Sequence, residues 1–299
     1  MPKASANGLE LEYETFGPED GPAVVHIMGF ASQLTRWADE YFHGLADRGY
    51  RVIRFDNRDI GLSQKLPELG VPDIGALTAR AMAGEAVEAP YTLDDMADDV
   101  AGLLDALAID RAHIQGESMG GRIAQLVALR HPERVRSLVS VMSTSGRPDL
   151  PQAEPEVRAV LFTVPKDPTD AEEVITIGTE ARKKLAGPGF DPGEAFHRAA
   201  AEAAYRRNYY LEGPARHMAA ILATGGRQGE LANIDAPTLV VHGRDDRLLP
   251  LPHGEDVAAL VPDAELHVVD GMGHAVEPTL APLLVEVIGD FYDRVEGYG

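Results

Sequence analysis

The chain has 299 residues, of which 44% are hydrophobic and 25% charged, a globular balance that can bury a large core and fits neither a disordered nor a fibrous class. Its 27 Lys and Arg against 48 Asp and Glu leave a formal net charge of −21, which repels phosphate backbones and anionic headgroups and argues against a nucleic-acid partner. The absence of cysteine excludes disulfides, thiolate metal sites and cysteine nucleophiles, and no run approaches the roughly 18–20 apolar residues of a membrane span.

Strand and helix signals alternate through the first half. Leu9, Leu11, Tyr13 and Thr15 alternate with polar residues as in a half-buried strand. Residues 23–28 form a short apolar run ending at Gly29, and residues 50–55 another ending at Asp56, both expected as buried parallel strands with a helix over 37–48 between them. Thr92 is placed to cap a helix whose first turn holds Asp94 and Asp95 and whose apolar stripe is Met96, Val100, Leu103, Leu104 and Leu107. A strand at 112–115, a helix from about 120 to 130 stopped by His131-Pro132, and a strand at 136–142 follow.

The rhythm then breaks. Residues 145–234 carry Ala-rich helical segments and repeated prolines with no convincing strand, too long for a loop, and are expected to form a helical cap. Strands at 238–242 and 266–269 and helices at 252–261 and 277–295 resume the alternation. The fold class is therefore α/β, a doubly wound and mostly parallel sheet, with residues 1–144 and 235–299 as the core domain and 145–234 inserted as the cap.

Gly116-Glu117-Ser118-Met119-Gly120 reads as a nucleophile elbow, since it follows a strand and opens a helix. A serine there sits on a strained turn, and the flanking glycines let strand and helix close around it. Its hydroxyl needs a base, and His274 follows the last predicted strand on a Gly271-Met272-Gly273 loop, beyond the carboxyl end where open α/β sheets bind ligands. A carboxylate to orient that base is expected after the preceding strand, where Asp245 and Asp246 are adjacent. Met119, the residue after the nucleophile, and Phe30, on the loop after the first apolar run, are the candidate N–H donors of an oxyanion hole.

Together these motifs resemble the α/β-hydrolase superfamily, and within it the esterase branch that includes aclacinomycin methylesterase. The resemblance spans nearly the whole chain and is strongest at Met28-Gly29-Phe30, residues 56–63, the elbow, and the Asp245-Asp246 pair with Gly271-Met272-Gly273-His274. It implies a catalytic triad in the order Ser118, Asp246, His274, with Asp246 favoured because it stands third after Gly243, and a carboxylic ester hydrolase working through an acyl-enzyme on small to medium apolar esters. Carbon–carbon hydrolases, lactonases, thioesterases and perhydrolases share that residue set, and a slow ligand receptor on the same fold is the non-enzymatic alternative.

Glu117 departs from the neutral residue that many relatives carry before the serine. It is read either as hydrogen-bonded behind the elbow, tuning the pH profile, or as an ordinary paired or solvated carboxylate. Phe162, Tyr209, Met218 and Leu222 are expected in the pocket lining, with residues 71–90 as part of the same wall. No cofactor or metal is implied, because there is no dinucleotide fingerprint, P-loop or zinc motif. The remaining expectations are a small-molecule ester as the only partner, no membrane association, a monomer or homodimer, and a cytoplasmic location.

Overall fold

The computed structural model describes residues 2–298. Among them, β1 (Lys3–Ala6), β2 (Leu9–Phe16), β3 (Ala23–Ile27), β4 (Arg51–Phe55), β5 (Ala112–Glu117), β6 (Val135–Val141), β7 (Thr238–Gly243) and β8 (Glu265–Val269) form one sheet in the order β1-β2-β4-β3-β5-β6-β7-β8. The pairs β1–β2 and β2–β4 are antiparallel, and every later pair is parallel. The helices are α1 (Asp39–Asp47), α2 (Ile74–Met82), α3 (Leu93–Ala106), α4 (Met119–Arg130), α5 (Pro155–Leu161), α6 (Ala171–Leu185), α7 (Glu194–Arg207), α8 (Glu212–Thr224), α9 (Pro252–Leu260) and α10 (Ala281–Glu296).

The period of two along each strand sorts side chains into two cores. Val25, Ile27, Ile53, Phe55 and Ile114 face one side and pack with α3, α4 and α9. Val24, Val52, Val139 and Val141 face the other and pack with α1 and α10. Strands β3 and β5 are buried at every residue, as parallel strands covered on both faces must be.

Thr92 caps α3 in a reciprocal box, with Asp95 Oδ2 accepting the Thr92 N–H at 2.7 Å. Two elements fall outside the sequence expectations. Lys-Ala-Ser-Ala has little intrinsic strand preference, and β1 exists because β2 pairs with it and every second residue is buried. Helix α2 buries none of its residues, so it leaves no apolar stripe to read.

Between β6 and β7 the described residues form α5 to α8 without a strand. Buried ion pairs tie these helices to the 56–63 turn. Arg216 on α8 donates to both oxygens of Asp59 at 2.8 Å, with both side chains fully buried. Arg207 at the end of α7 donates to Asp56 Oδ2 at 2.8 Å. Burial pushes the Asp59 carboxyl up, but the Arg216 pair, the Leu66 N–H and the Tyr91 hydroxyl outweigh it and hold the group below the usual aspartate value.

The chain reverses its winding between β3 and β5, because β4 lies on one side of β3 and β5 on the other. A crevice therefore opens at the carboxyl ends of these two strands, the place where open α/β sheets bind ligands. The loop beginning Met28-Gly29-Phe30 leaves β3 there, and Ser118 leaves β5 beside it.

Candidate active site

Ser118 has φ +51° and ψ −117°, a strained conformation that a non-glycine residue holds only where its surroundings impose it. Two glycines explain how the turn closes. A Cβ on Gly116 would stand 2.0 Å from the Gly120 carbonyl oxygen, and one on Gly120 would stand 2.1 Å from that of Ile27. Strand β5, helix α4 and strand β3 thus meet backbone to backbone, and the serine projects from their junction.

The Ser118 Oγ lies 2.9 Å from His274 Nε2. His274 Nδ1 lies 2.7 Å from Asp246 Oδ2. The other oxygen of Asp246 accepts the N–H groups of Leu248 and Leu249, each at 2.8 Å, so the carboxylate is aimed before it meets the imidazole. Asp245 points elsewhere, and its Oδ2 accepts the Gly271 N–H at 2.8 Å, tying the loop after β7 to the loop that carries His274. The backbone N–H of His274 donates to Leu185 O at 2.8 Å, so the C-terminal end of α6 anchors the histidine loop from above.

His242 lies behind this row, with Nε2 3.6 Å from Asp246 Oδ2 and 2.7 Å from Leu249 O. Burial holds its pKa below the usual histidine value, and because a carbonyl can only accept, Nε2 is the nitrogen that donates to Leu249 O.

Phe30 follows β3 and lines the cavity beside the serine, and Met119, the residue after the serine, opens α4. A cavity of about 80 Å³ lies against Ser118 and His274, walled by Gly29, Phe30, Met142, Leu161 and Leu248. Phe30 and Leu161 also border a chamber of about 570 Å³ lined by Ile74, Val174, Ile177, Leu211 and other apolar side chains. Phe162, Tyr209 and Met218 line this chamber, and Ile74 brings α2 into its wall. Leu222 does not line it. That residue lies one turn beyond Met218 on α8, half-buried, outside the chamber's lining.

A second cavity of about 230 Å³ shares Tyr209, Val174 and Gly178 with the chamber but is more polar, adding Gln33, Arg182 and Asn208. Burial, with Arg36 nearby, brings the Arg182 guanidinium down to about 9. Arg36 lies 3.6 Å from Glu277 and reaches the wall of the cavity beside Ser118. The sequence offered no signal for these arginines, since a cationic residue in a loop, like Arg36, or on a charged helix such as α6, like Arg182, ordinarily faces water.

Glu117 is buried, and both its oxygens are occupied. Oε1 accepts the Gly29 N–H at 3.1 Å, and Oε2 accepts the Trp37 indole N–H. The partner could not be read from sequence, because Trp37 lies outside the helix in which it was expected, two residues before α1 begins.

Among the described residues no group of His, Asp and Glu is arranged to hold a metal ion, and no helix is long and apolar enough to cross a membrane.

Known proteins resemble this chain along nearly its whole length. A protein of Variovorax paradoxus (strain S110) that carries the provisional name carbamate hydrolase RutD is 30% identical over 295 residues, 97% of this chain and 99% of its own. Rhodomycin D methylesterase DnrP of Streptomyces peucetius is 28% identical over 278 residues, 87% of this chain and 86% of its own. The latter name agrees with the methylesterase branch that the motifs resemble. Among solved structures, the meta-cleavage product hydrolase CumD of Pseudomonas fluorescens IP01 superposes with a TM-score of 0.76 at 22% identity, over 98% of each chain, a likeness of fold. The family profile described as alpha/beta hydrolase fold matches residues 22–276. Matched over that span and built on the sheet order and elbow described above, the chain belongs to the alpha/beta hydrolase fold family.

Proposed function

We propose that the protein is a carboxylic ester hydrolase in which Ser118 is the nucleophile, His274 the base and Asp246 the residue that orients it. The observation that carries this reading is the unbroken row from Ser118 Oγ through His274 to Asp246, at 2.9 and 2.7 Å, beside a small cavity bordering an apolar chamber. His274 Nε2 takes the serine proton as Oγ attacks the ester carbonyl. The N–H groups of Met119 and Phe30 receive the negative charge that develops on the carbonyl oxygen. As the tetrahedral adduct collapses, the leaving alkoxide takes the proton from His274 and departs as the alcohol, leaving an acyl group on Ser118. Water, deprotonated by the same histidine, then releases the acid.

In this reading residues 145–234 form a cap domain that roofs the pocket, and the acyl or alcohol portion of a small to medium ester occupies the chamber lined by Phe162, Tyr209 and Met218. The methylesterase name of one relative supports ester chemistry. Hydrolysis of p-nitrophenyl esters from acetate upward, alongside a panel of methyl esters, tests the proposal. Turnover that Ser118→Ala lowers by about 10⁴-fold is expected. Covalent labelling of Ser118 by a fluorophosphonate without turnover of any ester would replace the enzyme with a slow ligand receptor.

A further inference from the structure

We infer that Glu117 is a positioning residue for the oxyanion hole, holding the loop that carries the Phe30 N–H in the orientation the transition state requires; this rests on the ester-hydrolase reading above. The argument begins with the loop itself. Gly29 stands between β3 and Phe30 and, without a side chain, has a wide range of ψ open to it. A rotation there would swing the Phe30 N–H away from the carbonyl oxygen, and a donor aimed at an oxyanion works only when it is already in place.

The peptide unit between Met28 and Gly29 is gripped at both edges. Asn57 Nδ2 donates to the Met28 carbonyl at 2.9 Å, and the Gly29 N–H donates to Glu117 Oε1 at 3.1 Å. The next unit, between Gly29 and Phe30, is tethered through its carbonyl, which accepts the Ser32 N–H at 3.3 Å. Of these anchors only Glu117 belongs to the elbow, one residue before the nucleophile. Its side chain therefore couples the position of Ser118 on β5 to the position of the donor on the β3 loop.

A carboxylate suits this place because two donors converge on it. The Trp37 indole N–H points at Oε2, and Trp37 is itself held between His26 and Tyr41, with ring centroids 4.4 and 4.8 Å away. His26 stays neutral, since burial, aided by Arg54, brings it down to about 3. The cations nearest the site, Arg36 and Arg182, make no hydrogen bond to Glu117 among the described residues, so its direct partners are the two N–H groups. Glutamine fits the same volume but offers one acceptor oxygen. With both donors fixed, its amide N–H would face either the Gly29 or the Trp37 N–H.

This geometry makes a double-mutant cycle decisive. Glu117→Gln should lower kcat on a p-nitrophenyl ester, and the rate of Ser118 phosphonylation, by about tenfold, less than the 10²–10³ that removing an oxyanion donor costs, with KM changed less than about threefold. In a Trp37→Phe background the competing donor is gone, the glutamine oxygen can accept the Gly29 N–H, and the same substitution should cost less than about threefold. Circular dichroism and thermal melting confirm that each variant is folded. Equal losses in both backgrounds, or a kcat in Glu117→Gln within twofold of the parent, would overturn the assignment. Ser118→Ala in the same assay separates the two claims. If it is inactive while Glu117→Gln is unaffected, only the positioning role fails, whereas if it retains turnover, the ester-hydrolase reading falls with it.

Discussion

Acid should unfold this protein through its buried histidines well before its carboxylates are titrated. Burial, with Arg54 close by, brings His26 down to about 3, and burial with Arg136 brings His113 down to about 3. Burial takes His217 to about 4 in spite of its bond to the Arg58 carbonyl. All three stay neutral in the folded protein between pH 6 and pH 5, whereas in the unfolded chain they titrate near 6.5. A histidine depressed in this way lets the unfolded state bind the extra proton, so stability falls as pH falls through the interval between the two values. Each proton is worth about 1.4 kcal/mol per pH unit once the unfolded histidine is mostly charged. Three of them therefore cost about 3–4 kcal/mol between pH 6 and pH 5, and His242 acts in the same direction. Urea unfolding at fixed pH steps over this range, followed by tryptophan fluorescence and far-UV circular dichroism, gives the slope directly. His217→Gln, which can still donate to the Arg58 carbonyl, should reduce it by about 1 kcal/mol per unit. A total slope under about 1 kcal/mol per pH unit would show that these rings are not held neutral, and would refute the reasoning.

Three further outcomes follow from the geometry. Arg216→Met leaves Asp59 buried without its cation and should cost about 3–5 kcal/mol in urea unfolding at pH 7, and a loss under about 1 kcal/mol would contradict the role given to the pair. Met218→Trp narrows the apolar chamber, so kcat/KM for p-nitrophenyl octanoate should fall by about tenfold or more while acetate stays within about threefold; equal changes for both would show that the chain does not bind there. The two adjacent aspartates should separate in kinetics, with Asp246→Asn lowering kcat by roughly 10³–10⁴ and Asp245→Asn by less than about tenfold, and the reverse order would exchange their roles.

The parts of the site legible in sequence are those whose chemistry constrains local backbone. Gly116 and Gly120 announce the elbow because no Cβ fits where strand and helix close, and the strand before and helix after supply its context. Asp246 and His274 stand at the ends of readable strands, so their neighbourhood follows from topology, while the choice between Asp245 and Asp246 rested on a family pattern. What stayed hidden depends on tertiary partners. Arg216 sits on an exposed-looking helix, and only the fold brings it to Asp59, just as only the fold brings Trp37 to Glu117. The chamber shows the same limit, since Met218 and Leu222 share a helix and a character, yet one turn of rotation and rise leaves only the first in its wall.

A pre-steady-state measurement of p-nitrophenol release from p-nitrophenyl butyrate, paired with intact-mass analysis of the quenched protein, tests the proposed chemistry most directly. The account predicts a rapid burst approaching one equivalent, an acyl adduct on the peptide containing Ser118, and neither in Ser118→Ala. Turnover by Ser118→Ala at a rate near that of the unaltered protein, or an adduct on any other residue, would contradict it.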